Sequence, residues 1–508
     1  MPVLRSPILK AILPTLIILG LLRLVFWLNT FPNPDEAYYW LWGQHPAFSY
    51  YDHPPFQAWV QGVVTSVLGK SFFSLRLSNL FSTCILFYTY FQISKYLYGK
   101  NGIDSFWMTI ALLLTSPLYF LFLALAWQDH WLITFSLISA FQLIQFLDGY
   151  IIDDKGDSRR LYEAAIALGF ALLCKYNAVF IGLGFLAAMV SNEPWRKLFR
   201  DRRFYFAISI VLAFLLPILI WNLTNDFQSF RYYSDRSVDN AGFQLKFDQA
   251  LGFVALSILM LSPVNSWAMF HVLRQSRTST YPTVAFWIFT VSTVSLLAVS
   301  LVSTALYYWN ILAYLLLFPL LPSVLAPSRT GSQLHLAERS RQSSTPNPHS
   351  PLLIVGQGYG ILFALLLVIH YSILPLSAFG SGESDPDSRM LFGWEPVGEA
   401  VQQQAKTLNQ PFFVTSDYRS ASALAYQLNN PDVLAISDRI DQFDFWFDAT
   451  LLKGRDAVIL VDDWHPLQPK LKAQFDRLSA PEKISIQRFG IWIKNYYLLR
   501  GYIFRPTS

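Results

Sequence analysis

The sequence predicts an α-helical protein that spans a membrane about eleven times and carries a small α/β domain at its C-terminal end. Its 508 residues are 53% hydrophobic and only 14% charged, whereas soluble domains carry about 25% charged residues. Apolar runs of about 20 residues, the length that crosses a bilayer, recur along the chain. After about residue 376 the apolar runs shorten to strand length.

The first apolar run follows basic residues but lacks a small-residue cleavage pattern, so it predicts a retained span rather than a signal peptide. Lys175 and Asn177 interrupt a later apolar stretch, which predicts a reversal of the chain there. Residues 1–375 form the predicted transmembrane domain. The predicted spans lie near residues 8–30, 71–97, 103–124, 130–149, 161–174, 177–191, 204–223, 249–273, 282–303, 305–326 and 352–375.

The distribution of basic residues predicts the orientation. With a cytoplasmic N-terminus, most Lys and Arg residues fall in inside loops, as in "NEPWRKLFRDRR". The net charge of +5 is therefore explained by topology, without a nucleic-acid partner. Before the C-terminal region, the outside segments hold only Lys70, Lys175, Arg231, Arg236 and Lys246. This asymmetry predicts a multi-pass plasma-membrane (inner-membrane) protein with an extracytoplasmic C-terminal domain.

Two segments outside the spans have distinct compositions. Residues 328–351 are rich in Ser, Pro and Arg, which predicts a flexible cytoplasmic linker. Residues 376–508 alternate strand-like runs such as "PFFVTSD" and "DAVILVDD" with helix-like runs such as "WEPVGEAVQQQAKTL". That alternation predicts a soluble α/β domain.

Ionisable and aromatic side chains concentrate in the predicted outer loops. The first outer loop, residues 31–70, contains the stretch "NPDEAYYWLWGQHPAFSYYDHPPFQAW". An intramembrane or juxtamembrane cation such as Lys175 needs a partner. The candidate site residues are Asp35, Glu36, Tyr51, Asp52, His53, Asp129, Lys175 and Arg236.

This combination favours group transfer at the outer face. A carboxylate beside an acceptor hydroxyl can act as general base, and nearby cations can stabilise a phosphate leaving group. The sequence has no glycine-rich nucleotide-binding motif, which suggests a donor carried in the bilayer, a polyprenyl phosphate bearing a sugar. Tyr38, Tyr39, Trp40, Tyr50 and Tyr51 would suit stacking on the sugar or the lipid head.

Structural explanations compete with each of these roles. Interfacial aromatic residues commonly anchor a membrane protein at its depth. An outer-loop carboxylate such as Asp35 is by default a solvated charge. Asp52 and His53 would serve equally as caps before the double proline, and His130, Arg231 and Lys246 as ordinary helix-start or surface residues.

At these residues the sequence resembles a known family. "PDEAYYWLWGQHPAFSYYDHPP" is similar to the first outer loop of bacterial relatives of the protein O-mannosyltransferases, GT-C class glycosyltransferases that include the aminoarabinose transferase of lipid A. "WQDHWLITF", "GFALLCKYNAVF", "YYWNILAYLLLFP", "FGWEPVGEAV" and "YRSASALAYQL" agree in order. The resemblance spans most of the chain.

The resemblance implies a GT-C fold and an inverting transfer from a polyprenyl-phosphate sugar to a lipid, glycan or protein acceptor. It implies that Asp35 is the catalytic base, with Glu36 beside it. It also implies that Asp129 shapes the acceptor or base site. Lys175 matches a position near the donor phosphate, and Arg236 is a second candidate for that role.

One departure from the pattern of this family bears on the identity of the donor sugar. Where aminoarabinose transferases have Glu-Lys before the prolines, this chain has Asp52-His53, and a histidine is only partly protonated near neutral pH. Aminoarabinose is therefore a doubtful donor. Asp35, Glu36 and Asp129 offer hard oxygen ligands for a divalent cation, but the expectation is catalysis without a cofactor.

A transporter or flippase for a polyprenyl lipid or a solute, with an outer receptor domain, is the alternative function. Transporters commonly place ionisable groups near the bilayer midplane between repeated halves. Here the acidic residues fall in outer loops and no internal repeat is visible. A lipid-binding assembly factor without catalysis is a third possibility.

Overall fold

The computed structural model describes residues 7–153, 156–237, 245–325, 350–380 and 385–506. The chain is mainly helical up to Ile373, and a sheet follows. The predicted linker, residues 328–351, lies almost entirely outside the described residues. The longer helices of the first part are Pro7–Asn29, Pro34–Gln44, Phe56–Leu68, Phe72–Tyr98, Gly102–Leu114, Asp129–Asp153, Ser158–Cys174, Val179–Ser191, Arg202–Phe214, Leu216–Thr224, Gln228–Ser237, Phe247–Leu261, Pro263–Leu273, Thr280–Ser300 and Pro351–Val368.

Several of these helices are suited to a membrane. Among the described residues, four are long and apolar enough to cross one: Ile8–Asn29, Asp129–Ile152, Thr280–Ser300 and Pro351–Ile373. Four further helix pairs qualify if each pair, bent by more than 40° at a short break, is one span. The described residues thus supply four to eight candidate spans, so the prediction of about eleven is matched in part.

The differences from the predicted spans have local causes. The predicted span 249–273 consists of two helices that meet at 104°, because Ser262 adopts a φ of 81° and Pro263 follows it. The predicted span 71–97 is the continuous helix Phe72–Tyr98, but buried polar residues such as Arg76 and Asn79 lower its hydropathy. The predicted interruption at Lys175 is confirmed.

The C-terminal residues form a six-stranded mixed sheet of order β2-β1-β3-β6-β4, with β5 also paired to β6. The parallel strands β1 (Phe412–Thr415) and β3 (Ala457–Asp462) lie at its centre, and β3 is buried along its whole length, as expected for a strand covered on both faces. The remaining strands are β2 (Leu434–Ala435), β4 (Phe475–Leu478), β5 (Glu482–Arg488) and β6 (Ile491–Phe504).

Helices Trp394–Ala405 and Tyr418–Leu428 accompany the sheet. We call residues 385–506 the C-terminal unit. Its predicted boundary near residue 376 stays a prediction.

The C-terminal unit packs directly on the first loop, residues 31–70. The ring of Trp40 meets that of Tyr426 edge-on at 5.2 Å, and Phe31 stacks on Trp394 at 5.6 Å. His45 stacks on Trp446 at 4.7 Å. These side chains belong to one continuous apolar cluster, so the two parts of the chain share a core.

Candidate active site

The motif "NPDE" starts the first-loop helix, Pro34–Gln44. The Asn33 side chain accepts a hydrogen bond from the backbone N–H of Asp35 at 3.1 Å, and the Glu36 carboxylate accepts one from the Asn33 N–H at 2.9 Å. With Pro34 in the first helical position, this is a capping box. The sequence therefore fixes Asp35 and Glu36 within one rigid helical turn.

A cavity of about 810 Å³ opens beside this turn. Of the eight predicted site residues, Asp35, Asp52, His53 and Lys175 line it. They come from the start of the first-loop helix, the segment before the double proline, and the break after helix Ser158–Cys174. Folding thus brings together carboxylates and a cation that lie up to 140 residues apart.

Asp35 has the properties of a general base. Its side chain is partly buried, and no described residue donates a hydrogen bond to its carboxylate. Burial raises the pKa of Asp35 to about 6, against the opposing field of Arg419, while the negative charge of Asp387 adds to the rise. A carboxylate with a pKa near 6 is ionised at neutral pH and more basic than a solvated aspartate.

Lys175 is held in place by Asp129. Its Nζ lies 3.0 and 3.2 Å from the two carboxylate oxygens of Asp129, and both side chains are buried. The same Nζ lies 5.1 Å from the ring centroid of Tyr308. Asn177, two residues later, donates to the carbonyl oxygen of Trp309 at 2.9 Å. The "KYN" and "YYW" segments, distant in sequence, therefore form one wall, with Asp129 behind it.

Asp52 and His53 approach the cavity from the other end of the first loop. Asp52 is buried, with Tyr38 Oη 3.5 Å from one carboxylate oxygen and an Arg439 nitrogen 3.7 Å from the other. The imidazole of His53 lies edge-on to Tyr39 at 6.0 Å. Tyr51 is buried outside the cavity lining, where its ring packs on Tyr232.

Glu36, like Tyr51 and Asp129, does not line the cavity. Glu36 is fully buried and binds Arg76 through two hydrogen bonds, at 2.9 and 2.6 Å. Each of its two oxygens also accepts a backbone N–H, from Asn33 or from Ala126, so the carboxylate is fully engaged in structural contacts. Arg236 falls in helix Gln228–Ser237, but its side chain lies outside the described residues.

Some aromatic residues of the first loop line the cavity, and others pack elsewhere. Tyr38 and Tyr39 line the cavity, beside Trp127, Tyr308 and Trp309 from later segments. By contrast, Tyr50 stacks on Trp42 at 4.4 Å, and Trp40 packs on the C-terminal unit. Stacking on a bound sugar is therefore open to the first group, while the second holds the loop in shape.

Sequence reasoning missed the contribution of the C-terminal unit. Asp387, Tyr418, Arg419 and Arg439 all line the cavity. Tyr418 and Arg419 start a helix whose cap, Asp417, accepts hydrogen bonds from the backbone N–H groups of residues 419 and 420. That cap motif, "SDYRS", was the available signal, but it does not show that the helix start faces the first loop.

Comparison with known proteins supports this architecture. A family model described as dolichyl-phosphate-mannose-protein mannosyltransferase matches residues 52–221. The match includes Asp52, His53, Asp129 and Lys175, whereas Asp35 precedes it. The crystal structure of ArnT from Cupriavidus metallidurans bound to undecaprenyl phosphate has the same fold, with a TM-score of 0.65 over 96% of this chain and 98% of that chain, at 14% identity.

Two curated relatives come from Rhizobium johnstonii. Lipid A galacturonosyltransferase RgtD is 25% identical over 47% of this chain and 49% of its own length. Lipopolysaccharide core galacturonosyltransferase RgtB is 28% identical over 45% of each. The chain thus matches about half the length of these relatives. In sequence the chain is thus similar to known glycosyltransferases, and in fold it is similar to ArnT.

Proposed function

We propose that this protein is an inverting glycosyltransferase that moves a sugar from a polyprenyl-phosphate donor to an acceptor hydroxyl or phosphate on the outer face of the plasma (inner) membrane. The observation that carries the proposal is one cavity that contains both an unpaired carboxylate, Asp35, and a buried cation, Lys175. The proposed orientation has a cytoplasmic N-terminus and an extracytoplasmic C-terminal unit.

In the proposed reaction, the Asp35 carboxylate removes the proton from the acceptor hydroxyl. The acceptor oxygen then attacks the anomeric carbon from the face opposite the phosphate. The bond between that carbon and the phosphate oxygen breaks, and the polyprenyl phosphate leaves with the electron pair. Lys175, oriented by Asp129, stabilises the negative charge that develops on the leaving phosphate.

A second cavity supports a lipid-borne donor. It has a volume of about 610 Å³ and an almost entirely apolar lining, and it shares Tyr176 and Val179 with the reaction cavity. Leu172, Leu215 and Leu219 are among its other walls. We assign it to the polyprenyl chain, since an apolar channel beside a charged site fits a lipid with a phosphate head. The ArnT structure with undecaprenyl phosphate is in keeping with this donor class.

The donor sugar and the metal requirement are part of the proposal. The names of the relatives make a hexuronic acid the first sugar to test and a lipopolysaccharide or lipid A component the first acceptor. Lys175, Arg419 and Arg439 already place positive charge at the cavity. We therefore propose that Lys175, rather than a divalent cation, neutralises the donor phosphate.

A lipid or solute transporter is the second candidate. The observation in its favour is the set of four bent helix pairs among the described residues, since transporters commonly use broken helices at their binding sites. The bend of 53° between the segments Tyr307–Tyr314 and Phe318–Leu325 begins at the cavity wall. A transporter would bind the lipid and leave the sugar–phosphate bond intact.

The deciding experiment is a donor screen. Purified full-length protein in lipid is offered polyprenyl phosphates with different labelled sugars, plus a membrane extract as acceptor. Asp35→Asn is assayed in parallel. Asp248→Asn is the matched control, because Asp248 is also in the first turn of a helix but is exposed. Transfer of label by the wild type and the control, with a loss of about 10²–10⁴-fold in Asp35→Asn, supports the proposal. Intact donors throughout the panel would contradict it.

A further inference from the structure

Two arginines of the C-terminal unit face the reaction cavity around a single aromatic ring. Arg419 Nε donates a hydrogen bond to Tyr418 Oη at 3.2 Å. The guanidinium carbon of Arg439 lies 5.3 Å from the centroid of the same Tyr418 ring. Both arginines line the cavity. Two cations placed on one ring at the edge of a cavity repel each other, so their proximity needs compensation.

The neighbouring carboxylates compensate this charge without enclosing it. Arg419 is 2.8 Å from Asp387, and the two side chains are 31% and 58% exposed. Arg439 is 3.7 Å from Asp52 and is 47% exposed. An exposed ion pair such as Arg419–Asp387 is weak and exchanges readily with water or with another anion. Asp52 is buried, but at 3.7 Å its contact with the half-exposed Arg439 is long.

The guanidinium groups also keep free donors. Each carries five N–H donors in a planar fork. Among the described residues, the Arg439 guanidinium makes a single hydrogen bond, of 3.4 Å, to Tyr232 Oη. Arg419 makes two, to Tyr418 and Asp387. The remaining N–H groups are available to a ligand in the cavity.

We propose that Arg419 and Arg439 form a subsite for a second anionic group, a carboxylate or phosphate carried by one of the two substrates. This inference rests on the proposed function and deepens it. Lys175, which lines the same cavity and is bound by Asp129, serves the donor phosphate. The arginine pair serves an anion elsewhere on the sugar or on the acceptor, because planar guanidinium groups bind such groups in bidentate fashion.

The competing explanation is a purely structural role, in which Arg439 holds the C-terminal unit against the rest of the chain. Arg439 contacts Asp52 and the ring of Tyr232, which belong to the helical part of the chain before the C-terminal unit. In that case, its loss would weaken the packing of the C-terminal unit and reduce binding of every ligand equally. An anion subsite predicts a loss that depends on the charge of the ligand.

The test is a binding measurement, so it does not require turnover. The donor probes are two phosphonate analogues on the same polyprenyl chain, one with a hexuronic acid and one with the matching neutral hexose. The acceptor probes are a diacylated disaccharide lipid with and without its phosphate. Wild-type full-length protein is compared with Arg419→Gln, Arg439→Gln and Arg439→Lys. Arg477→Gln is the control, since Arg477 is exposed on strand β4.

We expect Arg419→Gln and Arg439→Gln to weaken binding of one charged probe at least tenfold and to change its neutral match less than twofold. Arg439→Lys keeps the charge but loses the planar fork of N–H donors. Its affinity for the charged probe is expected to lie between those of the wild type and Arg439→Gln. A selective loss in the donor pair identifies the sugar carboxylate as the anion, and one in the acceptor pair identifies the acceptor phosphate.

Equal losses for charged and neutral probes, or no loss for any probe, would overturn the subsite. A thermal unfolding midpoint measured for each variant separates misfolding from altered recognition. If the wild type binds neither donor analogue, the proposed function fails, whereas the acceptor pair still reports on the arginines. If it binds both analogues equally and the two acceptors equally, the subsite is overturned while the proposed function stands.

Discussion

Glu36 and Arg76 form a fully buried, bidentate ion pair whose two hydrogen bonds measure 2.9 and 2.6 Å. The Glu36 carboxylate also accepts the backbone N–H of Ala126 at 2.7 Å, and Arg76 donates to the carbonyl of Thr30 at 2.9 Å. The pair therefore ties the end of the first span to the first loop and to the turn before Asp129. It holds the turn that carries Asp35.

Removing one member of this pair should destabilise the protein strongly. Glu36→Gln leaves the Arg76 guanidinium buried without its counter-charge, and such losses cost about 3–5 kcal/mol. We expect a clearly lower thermal unfolding midpoint in detergent or lipid. Glu163→Gln is the control, because Glu163 pairs with Arg159 at an exposed site and should cost less than about 1 kcal/mol. An unchanged midpoint for Glu36→Gln would refute the structural role of Glu36.

The activity should depend on the ionisation of Asp35. Because burial raises the pKa of Asp35 to about 6 and the base must be ionised, kcat/KM should rise with pH up to about 6 and then level off. Below that pH, the rate should fall about tenfold per unit as the carboxylate becomes protonated. A pH–rate profile of the wild type, with Asp248→Asn as control, checks this. An acid limb centred near pH 4 would show that Asp35 is either solvated or not the base.

Binding of the donor should depend on the Lys175–Asp129 pair. Lys175→Gln removes a charged donor, and hydrogen bonds to charged groups contribute about 1.5–3 kcal/mol, so donor affinity should fall about 10- to 150-fold. Asp129→Asn should also lower the donor affinity, because Lys175 loses the carboxylate that orients it. Titration of the protein with polyprenyl phosphate measures both. Lys453→Gln, at an exposed position, should bind as the wild type does.

Asp441, the N-cap of the short helix Gln442–Phe445, should make the stability of the protein depend on pH. Burial raises the pKa of Asp441 to about 8, and the nearby negative charges of Asp444 and Asp52 add to the rise. The folded protein then keeps a proton that the unfolded chain, with an ordinary value of 3.8, has lost. Stability should therefore fall as pH rises from about 4 to about 8.

Asp441→Asn isolates this effect. Asparagine still accepts the cap hydrogen bond from the Phe443 N–H, so the variant should lose the pH-dependent decrease and be more stable than wild type at pH 8. Unfolding midpoints between pH 5 and 8 measure it, with the exposed Asp432→Asn as control. If the unfolding midpoints of Asp441→Asn and the wild type change with pH in parallel, then Asp441 titrates as an ordinary carboxyl.

Chelation should leave the reaction unchanged. If Lys175 supplies the positive charge at the donor phosphate, then excess EDTA should change the initial rate less than twofold. Added Mg²⁺ or Mn²⁺ should then have no further effect. A rate that EDTA abolishes and Mn²⁺ restores would assign the carboxylates of the cavity to a metal ion instead.

The sequence was most informative where function depends on local patterns. "NPDE" has the pattern of a capping box, so the start of the helix that carries Asp35 can be read from four letters. Lys175 was conspicuous because a cation in an apolar run needs a counter-charge, and Asp129 provides it. The helical class followed from composition alone.

What the sequence did not show depends on long-range packing. Glu36 is chemically equivalent to Asp35 in the motif, and its pairing with Arg76 depends on how two helices 40 residues apart meet. Arg419 lies almost 400 residues from Asp35, and nothing local indicates that they face one cavity. The bend at Ser262 likewise depends on a backbone angle that hydropathy does not report.

The cavity wall joins residues from the first loop to residues from the last quarter of the chain. Its complete lining therefore does not exist until the polypeptide has been synthesised past Arg439. A nascent chain that has emerged only as far as Ile373 has Asp35 and Lys175 but lacks the wall around Tyr418. Premature termination upstream of β1 would leave a protein whose apolar helices can still insert but whose reaction chamber stays open on one side. In this protein, assembly of the site depends on residues that are made long after the helices that carry Asp35 and Lys175.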